Sequence, residues 1–376
     1  MSGPSERYFV SVQPGLESAL EDELDELGVA SVAEEGGVTV KADRDALHHI
    51  SLWSRVASRV TVRIGSFKAS NLGLFASGAR KLPWARYVAP GRKITVRVTA
   101  HKSRLRHRET ITKKLQLAVR DALRGPRSHT KRPPREPLLV VVRIVHDQVT
   151  ISVDASGDDL HRRGWRREGG AAPLRENLAA GVLRLLEWDV DEALIDPMCG
   201  SGTFPIEAAC IASGKPPGRD RPFEFESWPS HLPKAWAHCK KQVGRVPRPM
   251  HDLPIVGRDR DEGAIRRSIA NSRRAGVDKK VEWSQTVFRD GSVLPEQPGL
   301  VVMNPPYGKR IERGNAKDVF ASMGRCLRTR WIGWRVGILV PDRRLLSSLK
   351  LPLEEVANFQ HGGLRIYLMA GVVHDE

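Results

Sequence analysis

The sequence predicts an α/β protein in two parts, a small α+β unit followed by an open, mostly parallel sheet wound on both faces. Three observations carry this expectation. From about Leu160 onward, short apolar strands alternate with helices, the rhythm that builds a parallel sheet. The segment ALIDPMCGSGTFPIEAACIA runs an apolar strand through a small-residue turn into a helix. Residues 1–155 instead mix strands and helices with a lopsided charge. A chain of 376 residues has room for two such domains, here read as 1–155 and 156–376.

Within the first part, RYFVSV reads as a strand, and LESALEDELDELG as an amphipathic helix closed by Gly28. A second strand is expected from Lys93 to Ala100, then a basic loop entering a helix across HKSRLRHRETITKKLQLAVRDALRG. GPRSHTKRPPREP reads as an exposed connector or hairpin tip. LLVVVRIVHDQVTISVDAS reads as a β-hairpin turning at Asp147 and Gln148. In the second part, PLRENLAAGVLRLLEW is a helix. Strands are expected at 193–195, 254–256, 281–283, 300–303 and 336–340. A long insertion, KPPGRDRPFEFESWPSHLPKAWAHCKKQVGRVPRP, separates the first helix of this series from its second strand.

Charge points to the partner. The chain holds 61 Lys and Arg against 44 Asp and Glu, a formal net charge of +17. Between His101 and Arg135 there are 12 Lys or Arg and two acids, Glu109 and Asp121. Such a block is often only a solvated face. Its concentration in one third of the chain, beside an acidic opening segment, favours contact with phosphates. Aromatic residues are sparse in the block, so backbone and shape recognition of structured RNA fits better than single-strand stacking. The candidate contacts are Lys102, Arg104, Arg106, Arg108, Lys113 and Lys114, together with Arg162, Arg163 and Arg166 in the bridge LHRRGWRRE. No apolar run reaches the roughly 20 residues needed to span a bilayer. The N-terminus lacks the layout of a signal peptide, and no long basic amphipathic helix suggests a membrane-surface protein. Cys199, Cys210, Cys239 and Cys326 have no paired spacing, so neither disulfides nor a metal site are expected, and the protein reads as cytoplasmic. No obligate protein partner is evident.

Four segments carry chemistry. In the first, Asp196 ends a strand and a turn follows with Cys199, Gly200 and Gly202, before a helix opening near Thr203. Glycines admit close backbone approach, and the helix N-terminus offers N–H groups. Pro205 stands where a dinucleotide fingerprint requires its third glycine, and no Gly-Lys-Ser/Thr follows, so a P-loop is excluded. The second segment, GRDRD, ends a strand at Asp259, where a carboxylate can bind ribose hydroxyls. Asp261 reads equally well as a helix N-cap or a ligand contact. In the third, Asp290 and Gly291 of FRDGS follow a strand; alone, Asp290 is an ordinary turn residue. In the fourth, LVVMNPPYGKR, two prolines lock extended backbone after Asn304. The Asn304 side-chain oxygen and the Pro305 carbonyl can then grip both hydrogens of an exocyclic amine, with Pro306 fixing the turn and Tyr307 stacking on an extruded base. An isolated NPPY could equally be an ordinary loop. Its place behind a glycine turn and two acids favours catalysis.

The order DPMCGSGT, GRDRD, RDG and NPPY resembles the class I amino-methyltransferases of nucleic-acid bases. More narrowly, the chain resembles THUMP-domain RNA methyltransferases, closest to bacterial enzymes that make N2-methylguanosine in 23S ribosomal RNA. FVSVQPGLESALEDEL, HKSRLRHRE, SGDDLHRRGWR, APLRENLAA and PFEFESWP extend this resemblance over nearly the whole chain. It implies a Rossmann-like, seven-stranded sheet with one strand reversed, preceded by an RNA-binding module, with S-adenosyl-L-methionine lying across the strand ends. Asp196, Cys199, Gly200, Gly202 and Thr203 would surround the methionine part of that cofactor, with Cys199 a small packing residue. Asp259 would take the ribose, Arg260 would flank the adenine, and Asp290 beside Gly291 would meet its amino group. The PLRENLAA segment would also approach the cofactor. The RLRHR and RPPREP segments depart from the family pattern and leave the target RNA open. The chain ends soon after LRIYLMAG, so a single activity is expected. A tRNA guanine-N2 enzyme, an N6-adenine enzyme and a silent RNA-binding assembly factor remain as alternatives.

Overall fold

The computed structural model describes residues 5–123, 136–167, 173–242, 253–288, 294–306 and 316–375. The first unit is a seven-stranded sheet built from β1 (Glu6–Ser11), β2 (Ser31–Glu34), β3 (Gly37–Ala42), β4 (Arg59–Lys68), β5 (Ile94–His101), β6 (Leu138–Val145) and β7 (Gln148–Asp154). Their order is β2-β3-β1-β4-β7-β6-β5, antiparallel except for the β5–β6 pair. Helices α1 (Glu17–Glu26), α2 (Arg44–Trp53), α3 (Leu72–Arg80) and α4 (Arg108–Ala122) complete it. The expected β6–β7 hairpin forms, and its turn residues His146 and Asp147 both take positive φ, 49° and 60°. That pair of left-handed residues matches the twist of the flanking strands. The region between β2 and β5 holds elements that sequence pattern left unread. Among them is α2, whose N-cap Asp43 accepts from the N–H groups of Asp45 and Ala46.

The second unit contains α5 (Glu176–Leu185), β8 (Leu194–Asp196), α6 (Thr203–Ala212), α7 (Pro233–Gln242), β9 (Ile255–Asp259), α8 (Glu262–Ala275), β10 (Glu282–Gln285) and β11 (Leu300–Met303). It continues with α9 (Ala316–Arg330), β12 (Arg335–Val340), β13 (Glu354–His361) and β14 (Leu364–Val372). The strand order is β10-β9-β8-β11-β12-β14-β13. Every pair is parallel except those made by β14, which runs opposite to both its neighbours. This is the sheet that the family resemblance implies, seven strands with one reversed. β8 and β11 are buried on both faces, so they read as unbroken apolar runs. The chain leaves β8 toward β9 on one side and continues from β11 on the other. The crevice where that order reverses, outside the carboxyl ends of the strands, is where open α/β sheets bind ligands.

The two sheets share one apolar core, which includes Leu16 and Val60 from the first unit and Leu178, Leu194 and Leu300 from the second. The insertion after α6 supplies much of the joint. The Phe225 N–H donates to the Ala155 carbonyl at 3.1 Å, the Gly218 N–H to Leu52 at 3.0 Å and the Ser230 N–H to Arg86 at 3.1 Å. Arg92 holds Glu224 through two bonds of 2.6 and 3.0 Å. The Arg44 guanidinium lies 5.1 Å from the Trp228 ring centre. Phe225 and Trp236, backed by Phe223, pack against His48 of α2, whose pKa falls to about 4 because burial disfavours its charged form. Among the described residues, no helix is long and apolar enough to cross a membrane.

Phe225 is fully buried at the centre of this joint. Phe225→Ala should cost about 3–5 kcal/mol, the usual loss for emptying a buried aromatic site. Because the core is shared, the calorimetric transition should shift as a whole; a variant that splits it into separate melts of the two sheets would contradict a common core.

Candidate active site

The strand ends and the turn after β8 enclose a cavity of about 220 Å³. Its lining brings together residues from four separate stretches of sequence, among them Leu174, Asp196, Cys199, Thr203, Asp259 and Asn304. The turn is held by its neighbour strand. The Gly200 N–H donates to Asp259 Oδ2 at 2.9 Å, and the Cys199 N–H to the Arg258 carbonyl at 2.8 Å. Asp259 Oδ1 accepts from the Asp261 N–H at 2.9 Å, and Asp196 Oδ1 from the Met198 N–H at 3.1 Å. Gly200 and Gly202 have φ of 56° and 82°, a backbone region that favours glycine. At Gly202 a Cβ would also stand 2.6 Å from the Trp283 ring, so only glycine fits there.

The electrostatics are those of two acids in a dry wall. Asp196 is 2% exposed, and burial lifts its carboxyl well above the usual range, with the negative Asp259 adding to the rise. Burial, then Asp196 and Asp259, likewise push the Cys199 thiol far up. A thiol so held is a poor nucleophile. Asp261 N-caps α8 through the Gly263 N–H at 2.8 Å, and that bond leads the forces holding its carboxyl below the usual range. It also lines the cavity, so the helix-cap reading holds and the carboxylate stands at the site as well. Asp261, Ala264 and Arg267 face the site at the three-residue spacing of one helix face. That spacing in DEGAIRR was the available sign for Ala264 and Arg267, which sequence reading passed over.

Asn304 closes the opposite wall, immediately after the fully buried β11. Its Oδ1 is buried and has no hydrogen-bond partner among the described residues. Pro305 and Pro306 follow it, while Tyr307, Asp290 and Gly291 lie outside the described residues. Gly202 borders the turn as N-cap of α6, and Arg260 is exposed beyond Asp259 without lining the cavity. Pro173 and Leu174 of the PLRENLAA segment form part of the wall.

The basic residues divide. Lys102, Arg104, Arg106, Arg108, Lys113 and Lys114 are exposed on and before α4, and Arg162 is exposed in the bridge. Arg163 and Arg166 correct the sequence reading. Arg163 is 6% exposed, donates to the Leu160 carbonyl at 2.7 Å and to the Arg55 carbonyl, and faces Glu207 at 3.6 Å. Arg166 is turned inward onto Leu174, Thr203 and Glu176. Both guanidiniums point into the protein and bond through their Nη atoms there, so neither is presented to RNA.

Comparison with known proteins agrees with the architecture. The RlmL ferredoxin-like domain matches residues 7–61, the THUMP domain residues 70–154, and the RMKL-like methyltransferase domain residues 163–362. The ribosomal RNA large subunit methyltransferase K/L of Syntrophotalea carbinolica is 34% identical over 96% of this chain. The chain spans 53% of that relative, and about half the length of other K/L methyltransferases that it matches. The crystal structure of SMU.472 in complex with SAH superposes with a TM-score of 0.89 at 26% identity, covering 100% of this chain and 99% of that one. A protein of Listeria monocytogenes named as a predicted N6-adenine-specific DNA methylase gives 0.86 at 28% identity, over 97% and 96% of the two chains. S-adenosylmethionine is the cofactor of this class of methyltransferase domain, in keeping with the motifs. The chain belongs to the RMKL-like methyltransferase domain family, with a THUMP domain and an RlmL-type ferredoxin-like domain before the methyltransferase domain.

Proposed function

We propose that this chain is a cytoplasmic, S-adenosylmethionine-dependent RNA methyltransferase that forms N2-methylguanosine, with 23S ribosomal RNA as substrate. The observation that carries the chemistry is the buried Asn304 Oδ1, without a partner among the described residues, in the wall of a cavity that also holds Asp196 and Asp259. A buried acceptor left empty costs about 1–3 kcal/mol, which a donor on the substrate would recover. The name of the Listeria neighbour supports an N6-adenine reading as the second choice, because the same acceptors would grip either exocyclic amine.

The residues present suit the cofactor. Asp196 would take its cationic amine, the backbone at Cys199, Gly200, Gly202 and Thr203 would surround its methionine part, and Asp259 would accept from its ribose. Asp259 uses one lone pair of each oxygen on backbone N–H groups and keeps others for hydroxyls. Arg260, Asp290 and Gly291 would border the adenine. When bound, the cofactor supplies an electrophilic methyl group. The base amine is a weak nucleophile because its lone pair is delocalised into the ring. Asn304 Oδ1 and the Pro305 carbonyl would draw its two hydrogens, favouring a pyramidal nitrogen and aiming the lone pair into the cavity. Pro306 would hold that backbone extended, and Tyr307 would stack on the base. Transfer would be direct and in line, since Cys199, the only thiol in the cavity wall among the described residues, is buried with its thiol pKa pushed far up and is a poor nucleophile. Positioning and two hydrogen bonds carry the rate.

Residues 1–155 would form the RNA-binding module and 156–376 the methyltransferase domain. The exposed Lys102, Arg104, Arg106, Arg108, Lys113, Lys114 and Arg162 would meet phosphates.

Methyl-labelled cofactor with unmodified 23S ribosomal RNA, bulk tRNA and duplex DNA, followed by nucleoside mass analysis, tests the reading. N2-methylguanosine in ribosomal RNA is expected; the same product in tRNA moves the substrate, and methyladenine overturns the base. Asn304→Ala should lower the rate on the order of 10² or more while cofactor affinity holds. Full activity in that variant would remove Asn304 from the mechanism. Charge reversal at Lys102, Arg104 and Arg106 should weaken RNA binding and flatten its salt dependence without moving cofactor affinity. A cationic ligand favours ionised Asp196, whose carboxyl sits well above its ordinary pKa in the free protein. Below that raised value, binding must expel a proton. Cofactor affinity should therefore climb with pH by about tenfold per unit until Asp196 is ionised, then level off. Asp196→Asn should abolish the climb, and an unaltered pH profile would place the amine elsewhere.

A further inference from the structure

The bridge HRRGWRRE carries two pairs of arginines, and the fold splits each pair. Arg162 and Arg167 face solvent, whereas Arg163 and Arg166 point inward. Arg166 reaches three partners with one planar group. Nη2 donates to the Thr203 hydroxyl at 2.7 Å, Nη1 donates to the Leu174 carbonyl at 2.9 Å, and Nε lies 3.3 Å from Glu176 Oε1. The Trp165 ring lies 5.1 Å from the guanidinium carbon, and the Arg166 side chain is 13% exposed.

Two of those partners, Leu174 and Thr203, line the cavity, and they belong to segments that approach it from opposite directions. Leu174 precedes α5, and Thr203 is the first residue of α6, directly after the glycine turn. Their direct contact, Thr203 Oγ1 to the Leu174 carbonyl, is a long 3.5 Å. The short bonds between the two walls both pass through Arg166. Electrostatics give the placement further meaning. A cation beside a helix N-terminus opposes the helix dipole, so α6 gains nothing from the charge as such. Glu176, buried at 3% exposure, neutralises it, and the ion pair is retained where an apolar pair would pack at no such cost.

We propose that Arg166 is a positioning residue for cofactor binding: it fixes Leu174 against Thr203 and so sets the width of the cavity beside the glycine turn. Its own donors never reach the ligand. A lysine cannot replace it, because a single ammonium cannot span acceptors on two walls as the guanidinium fork does. The proposal rests on the reading of this cavity as the cofactor site.

The test is calorimetric titration of the full chain with S-adenosylhomocysteine, beside RNA binding by the same preparations. Arg166→Gln and Thr203→Val should each weaken S-adenosylhomocysteine about tenfold, the worth of one charge-assisted hydrogen bond. Thr203→Val keeps the shape of the side chain and guards against loss of folding in the arginine variant. The two effects should be non-additive in the double variant, since both break one link. Arg166→Lys should recover the loss only in part, Arg167→Gln should leave the titration unchanged, and RNA affinity should hold throughout. In turnover, the KM for the cofactor should rise more than kcat falls. Wild-type titration in both single variants would overturn the proposal while leaving the proposed function intact. A drop in RNA affinity with unchanged S-adenosylhomocysteine binding would overturn it in favour of RNA contact. Absence of binding by the wild-type chain would overturn both this inference and the functional reading beneath it.

Discussion

The hydrogen bond from the Gly200 N–H to Asp259 Oδ2 joins the loop after β8 to the end of β9. Much else depends on it. It fixes a left-handed glycine turn against the second strand, sets the start of α6, and holds two carboxylates at neighbouring strand ends. A backbone N–H carries part of the cost of burying Asp196, and two more hold the half-buried Asp259.

Around this point the two sheets are arranged as one body rather than as beads on a linker. The insertion after α6 reaches back to α2 and to the end of β7, and its aromatic residues fill the seam. Arg55 shows the same design from the other side. Its guanidinium donates to the Cys210 and Lys215 carbonyls at the far end of α6. The helix that begins at the glycine turn is therefore gripped at its end by the first unit. Displacing that unit would strain the turn itself.

How much of this could be read beforehand differs by element. β11 and the Asn-Pro-Pro turn were legible because a fully buried strand is an unbroken apolar run and proline leaves few backbone choices. The apolar pattern alone marked β9 only as far as Val256, and it was the GRDRD motif that carried the strand to Asp259, where β10 pairs with Gly257, Arg258 and Asp259. Arg163 and Arg166 were misread for a different reason: a sequence shows charge but not direction, and their partners Glu207 and Thr203 lie about 40 residues away. The insertion's role was also hidden, since Phe223, Phe225, Trp228 and Trp236 follow no helical or strand period and their partner α2 lies far back in the chain.

Cys199 gives the cavity one more property. A sulfonium methyl donor is an alkylating agent, and the most reactive nucleophile a protein can offer it is a thiolate. Burial and the charges of Asp196 and Asp259 keep that sulfur protonated, so the acids suited to hold the donor also deprive its nearest thiol of nucleophilicity. A cavity with such a field would suit an electrophilic reagent and at the same time offer it no thiolate.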